Sequence, residues 1–177
     1  MVEHKPLEAS AAGWHKVKAQ TTEGIYVTRA DEGRISASAP AGGEDINLLA
    51  TADKVDGLAN FLEYTIQAGR PGPPPHWHSG HDELFYVVSG TLSTLAGTEQ
   101  VELGPRDFLF VPRGAIHSFS NKTDETCIFI GVWTPGGHES FFQTLDELSP
   151  EEKSNPETLT KLLPSIETFM PDVERLP

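Results

Sequence analysis

A rhythm of short apolar runs limits the fold of this chain more than any other feature. From Ile46 to Trp133 it reads INLLAT, NFLEYTI, ELFYVV, TLSTLA, QVELG, DFLFVP, HSFSN and CIFIGVW, each rich in β-branched, aromatic or leucine residues. Gly, Pro, Asp and Asn clusters separate the runs. Short strands at such regular spacing indicate an all-β sandwich or barrel. AGTE, between TLSTL and QVELG, has the residues of a hairpin turn.

The flanks read differently. Residues 1 to about 24 are polar and weakly patterned, as in an arm. EGIYVT (23–28) suits a short strand, and DEGRISASAPAGGED (31–45) a loop. After Trp133 the pattern turns helical. Phe141, Phe142, Leu145 and Leu148 share one helix face, which is expected to pack on the sheet exterior. Ser149-Pro150-Glu151-Glu152 has the form of a capping box with proline at the first helical position. Asn155-Pro156 opens another helix with Leu159, Leu162 and Leu163 on its apolar side, and Pro164 is expected to stop it. The expectation is one domain over 1–177, with a barrel core at about 44–136, an N-terminal arm over 1–24 and a helical tail over 138–177. A chain of 177 residues can bury a core of that kind without disulfide or metal staples.

Charge removes two classes of partner. With 26 acidic and 13 basic residues the formal net charge is -13, and no Lys/Arg cluster offsets it. Such a surface repels phosphate backbones and anionic membranes, so neither nucleic acid nor membrane is expected as a partner. The one cysteine, Cys127, allows no internal disulfide and suits a buried strand position. MVEHKPLEASAAGWHK lacks the apolar core of a secretory signal, and no stretch approaches a membrane span. The expected location is cytoplasmic.

The chemistry concentrates at residues 76–83. HWHSGHDE holds three of the seven histidines together with two carboxylates, and the rigid RPGPPP stretch leads into it. On an extended segment His76 and His78 project from one face, and Trp77 from the other. Glu83 opens the strand ELFYVV and shares its face with Phe85 and Val87. A carboxylate heading an inward apolar row is costly unless it is paired or metal-bound. His117, in VPRGAIHSFSN, opens another strand after a turn at Pro112 and Gly114. A hairpin is expected to bring that strand back beside ELFYVV, so that His76, His78, Glu83 and His117 converge. Three imidazoles and a carboxylate with open positions suit one divalent transition metal: Fe, Mn, Ni, Co or Zn. His81 and Asp82 are open alternatives to Glu83. His81 otherwise reads as a solvated loop residue or a proton shuttle at the pocket mouth. His138, His4 and His15 read as surface residues. Phe85, Phe119 and Trp133 have inward parity and would form an apolar substrate pocket. The facing of Tyr64 and Tyr86 is not assigned.

These residues resemble the two motifs of the cupin superfamily. His76, His78, Glu83 and Gly90 fit H-x-H, four residues, Glu, six residues, Gly; Pro112, Gly114, His117 and Asn121 fit P-x-G-x-x-H-x-x-x-N. Gly104, and the glycine before His76, are offset from the usual spacing, but neither offset touches the four ligand positions. The resemblance covers roughly residues 44–137. GRPGPPPHWH and VWTPGGHESFF are most similar to small single-domain cupins of the quercetin 2,3-dioxygenase type. The resemblance implies a double-stranded β-helix (jelly-roll) barrel with a short helical C-terminal tail, often a homodimer. It implies metal at His76, His78, Glu83 and His117, with Asn121 supporting a turn.

The activity it implies is dioxygenation of a small enolic or aromatic substrate, flavonol- or diketone-like, with Glu83 as catalytic base and dioxygen as co-substrate. A non-oxidative metalloenzyme (isomerase, decarboxylase or lyase) and a non-catalytic small-molecule binder are the alternatives. Arg70, Arg106 and Arg113 are scattered rather than clustered, which disfavours a sugar-phosphate substrate.

Overall fold

In a computed structural model, residues 27–29, 34–35, 44–153 and 155–171 are described. Eleven strands occur among them. They are β1 (Arg34–Ile35), β2 (Glu44–Ala50), β3 (Asn60–Ile66), β4 (Trp77–His78), β5 (Asp82–Ser89), β6 (Leu92–Ala96), β7 (Glu99–Leu103), β8 (Phe108–Val111), β9 (His117–Ser120), β10 (Cys127–Thr134) and β11 (Thr168–Phe169). The helices are α1 (Glu139–Glu147), α2 (Pro150–Lys153) and α3 (Pro156–Leu162). Each apolar run of the sequence becomes a strand. Arg34–Ile35, read as loop, pairs instead with β2 at Asn47 and Ile46. Val27 and Thr28 lie in no strand, although the Thr28 hydroxyl donates to Leu49 O at 2.6 Å. The rest of the suggested strand, and the arm with His4 and His15, lie outside the described residues.

The strands form a six-stranded sheet in the order β1-β2-β3-β10-β5-β8, a three-stranded sheet β7-β6-β9 and a β11-β4 pair. The arrangement is a jelly roll. Period-two burial builds its interior. Along β3, Leu62, Tyr64 and Ile66 face inward, and along β10, Cys127, Phe129, Gly131 and Trp133 do so. Glu83, Phe85 and Val87 of β5 face inward as the sequence predicts, and Tyr86 outward. Tyr64 stacks on Phe129, and Phe119 crosses from the other sheet to meet Phe85 edge-on at 5.5 Å. Burying one such ring contributes about 2–3 kcal/mol. A Cβ at Gly131 would lie 2.6 Å from the Trp133 ring, so only glycine lets that ring lie across β10. The motif glycine Gly90 has φ +73°, and a Cβ there would meet Thr126 O at 2.4 Å.

Two expectations about packing are corrected. The strand of His117 does not lie beside β5, because both edges of β5 are already taken by β10 and β8. The turn after β8 carries the chain into the smaller sheet, where β9 pairs with β6. Helix α1 does not lie on the sheet exterior. Phe142 joins the interior cluster, 6.1 Å from the Tyr64 ring, so α1 lies across one end of the barrel. The Glu139 carboxylate fastens it there, accepting from Ala52 N at 2.6 Å and Gly137 N at 2.8 Å.

The tail follows its caps. Ser149 N donates to Glu152 Oε2 and Glu152 N to Ser149 Oγ, the reciprocal bonds of a capping box, and Asn155 Oδ1 accepts from Glu157 N at 2.9 Å. Helix α3 ends at Leu162, just before Pro164, and Pro164 itself lies in a 3₁₀ segment, Leu163–Ile166, whose exit leads into β11. No helix of the described residues is long and apolar enough to cross a membrane.

Candidate metal centre

Three elements bring the site together. His76 and His78 come from the segment around β4, Glu83 from the start of β5, and His117 from the start of β9. His76 and His117 form a direct backbone bridge, with N–H to C=O bonds of 2.9 Å in both directions. The segment leading into β4 is therefore joined to β9 of the three-stranded sheet at the histidines themselves. His76, His78, Glu83 and His117 are all buried, and each offers one ligand atom within 4.8 Å of the others.

The outer nitrogens fix the rings. His76 Nδ1 donates to Pro74 O at 2.8 Å, and His117 Nδ1 to Ala115 O at 3.0 Å. A carbonyl can only accept, so both rings turn Nε2 inward. His78 Nδ1 pairs with Thr168 Oγ1 at 2.8 Å. Second partners of this kind orient the imidazoles of metal sites and set their basicity. The Trp133 indole N–H donates to Glu83 Oε1 at 2.7 Å.

The inner atoms are left short of donors. His78 Nε2, Glu83 Oε2 and His117 Nε2 are buried with no hydrogen-bond partner. His78 Nε2 abuts Glu83 Oε1, and His117 Nε2 faces Glu83 Oε2 at 3.3 Å without the alignment of a good hydrogen bond. Burial pushes the Glu83 carboxyl up, but the adjoining His117 and His78 outweigh it and hold it well below the usual range. Burial pulls His117 down, yet Glu83 raises it above its ordinary value. Burial, with His117 next to it, drives His76 down to about 3. Buried nitrogen and carboxylate acceptors converging without enough protons are what a cation satisfies. The donor set is also chemically right for a divalent transition ion.

The remaining site residues sort clearly. Asp82 is no alternative to Glu83. It points outward and takes Arg113 Nε at 3.1 Å, Nη2 at 2.9 Å and N at 2.8 Å. Trp77 faces away and stacks on Phe169 at 4.6 Å. Asn121 Nδ2 donates to Ile66 O, Gln67 O and Glu125 O, a turn-supporting role. Phe85, Phe119 and Trp133 face inward beneath the cluster.

Two readings of histidine are corrected. His81 is not solvated; it is 6% exposed, and its Nε2 is 3.8 Å from Glu83 Oε1. His138 is no surface residue. It is 8% exposed, with Phe141 and Phe142 of α1 packed on its ring at 5.9 and 5.5 Å. It stacks on Trp133 at 5.0 Å and 1°.

Four contributors escaped the sequence reading: Thr168, Trp133 as a donor, and the carbonyls of Pro74 and Ala115. The last pair had a local signal, since each carbonyl lies two residues before its histidine.

Residues 62–133 match the cupin domain family. This segment is a cupin domain. The chain is 36% identical to quercetin 2,3-dioxygenase of Bacillus subtilis (strain 168) over 72 residues, 41% of this chain and 21% of that one. The chain thus spans about a fifth of that relative's length. Among solved structures the chain is similar to a predicted oxalate decarboxylase from Thermotoga maritima, at 22% identity and TM-score 0.52, covering 58% of this chain and 90% of that one. It is also similar to a structure assigned to ethanolamine utilization protein Q of Salmonella typhimurium, at 19% identity and TM-score 0.53, covering 68% of this chain and 94% of that one. At these identities the structural likenesses speak for the fold alone.

Proposed function

We propose that His76, His78, Glu83 and His117 hold one divalent transition ion, and that the protein is a metal-dependent dioxygenase of a small enolic or phenolic substrate. The observation that carries the reading is the set of buried, inward-facing acceptors that lack donors. Among the activities such a site can host, the 36% identity to a quercetin 2,3-dioxygenase over 72 residues favours dioxygenation. When bound, the ion would supply Lewis acidity and open positions for a substrate oxygen and dioxygen.

The chain's own groups do the rest. Glu83 Oε1 is held by the Trp133 N–H, which leaves Oε2 as the atom to accept the substrate's hydroxyl proton. The outer carbonyls of Pro74 and Ala115 keep a proton on Nδ1 of His76 and His117, so each ring aims Nε2 inward, where it would serve as a ligand atom. Phe85, Phe119 and Trp133 supply an apolar wall suited to an aromatic ring. The homodimer implied by the resemblance would use the β8 edge, unpaired among the described residues, where Tyr86, Val88, Phe108 and Phe110 are exposed.

Elemental mass spectrometry of the purified protein, followed by oxygen-uptake assays with flavonols and diketones, tests the reading. One metal per chain, weakened by His76→Ala and Glu83→Ala, with oxygen consumed in proportion to product, is expected. A protein that refuses Fe, Mn, Ni, Co and Zn sinks the metal reading. Turnover without oxygen uptake moves it to an isomerase, decarboxylase or lyase, and a ligand recovered unchanged moves it to a binding protein.

A further inference from the structure

A second group of imidazoles converges on the same histidine. His78, His81 and His138 each offer a ring nitrogen, and these lie within 4.8 Å of one another. All three residues are more than nine-tenths buried. His81 Nε2 and His138 Nδ1 have no hydrogen-bond partner. A buried polar atom left unpaired costs about 1–3 kcal/mol, so two side by side call for a missing partner.

The rings are held rather than loose. His81 packs against His78 at 4.2 Å between centroids and against His138 at 4.8 Å. His138 is clamped flat on Trp133 and edge-on to Phe142 at 5.5 Å. Among the described residues no carboxylate or hydroxyl bonds to the free nitrogen of either ring.

We infer that His78, His81 and His138 form a second cation position beside the first. The inference rests on the metal reading above. Thr168 engages His78 Nδ1, so Nε2 is the nitrogen that serves both positions, and one ion excludes the other. The Glu83 carboxylate stands between them, its Oε1 against His78 Nε2 and 3.8 Å from His81 Nε2. An all-imidazole position selects late first-row ions such as Co2+, Ni2+, Cu2+ and Zn2+ over Mg2+ or Ca2+. The consequence is a chain that holds one ion but can hold it in either of two places. Loss of ligands from one set relocates the ion instead of releasing it.

The test uses Co2+ alone, measured by equilibrium dialysis and visible absorption on the full chain. The native protein is expected to bind one Co2+. A His76→Ala/His117→Ala variant, which strips the first set and spares the second, is expected to bind one Co2+ more weakly, with a changed absorption band. Adding His81→Gln or His138→Gln should weaken that binding by about tenfold or more. A double variant that binds no Co2+, or binds it indifferently to positions 81 and 138, overturns the second position and leaves the first standing. A native protein that binds none overturns both. If the double variant does not fold, anomalous diffraction from Co2+-soaked crystals of Glu83→Gln decides. A peak among His78, His81 and His138 supports the inference, and a peak only among His76, His78 and His117, or none, overturns it.

Discussion

Thr168 lies 90 residues from His78 in sequence, yet its hydroxyl is the partner of His78 Nδ1. Thr168→Val keeps the shape of the side chain and removes the hydroxyl. In the metal-free protein the change leaves a nitrogen of a 2% exposed ring unpaired, at a cost of about 1–3 kcal/mol. In the metal-bound protein the ring also loses its fixed orientation. Partners of this kind are worth about 10–100-fold in metal affinity, which is about 1.4–2.7 kcal/mol. Thr168→Ser keeps the hydroxyl and gives up one methyl group, so it should keep nearly all of the affinity. Competition against a fluorescent zinc chelator measures affinity, and urea denaturation of the metal-free proteins measures stability. The reasoning fails if the valine variant binds zinc as tightly as the native protein, or if the serine variant loses as much as the valine variant.

Other expectations follow from burial and charge. Asn121→Ala removes a donor serving three backbone carbonyls, so it should cost about 2–4 kcal/mol in urea denaturation while leaving metal affinity largely intact. The metal-free protein should lose stability as pH falls. Burial depresses His76 to about 3 and His81 to about 4 in the folded state. Below the ordinary value of 6.5 the unfolded chain therefore takes up protons that the folded chain refuses. Each ring contributes at most about 1.4 kcal/mol per pH unit, from pH 6.5 down to its folded value. His117, raised by Glu83, acts in the opposite direction. Urea midpoints from pH 7 to 4.5 would show the decline, and a flat profile would contradict the assigned burial. Burial raises the Cys127 thiol to about 11, so a thiol reagent at pH 8 should label it only as fast as the chain unfolds.

The sequence by itself determined what depends on local order. Alternation placed Glu83, Phe85 and Val87 on one face, because the strand repeat of two residues requires it. The H-x-H spacing put His76 and His78 together for the same reason, and Gly90 and Asn121 marked turns whose geometry only those residue types serve well. The four buried groups that could hold a metal were legible because motif spacing carries them.

The tertiary structure alone decided what depends on which element covers which. His81 and His138 look solvated in a linear reading, since their neighbours are Ser79, Gly80, Gly136 and Gly137. They are buried because α1 folds across the barrel end and stacks His138 on Trp133. The placement of β9 in the smaller sheet turned on both edges of β5 being occupied, which no local pattern records. Thr168 reaches His78 only because β11 pairs with β4 after the whole helical tail. Spacing along the chain fixes which side a residue faces, but burial and partnership are set by contacts between segments far apart in sequence.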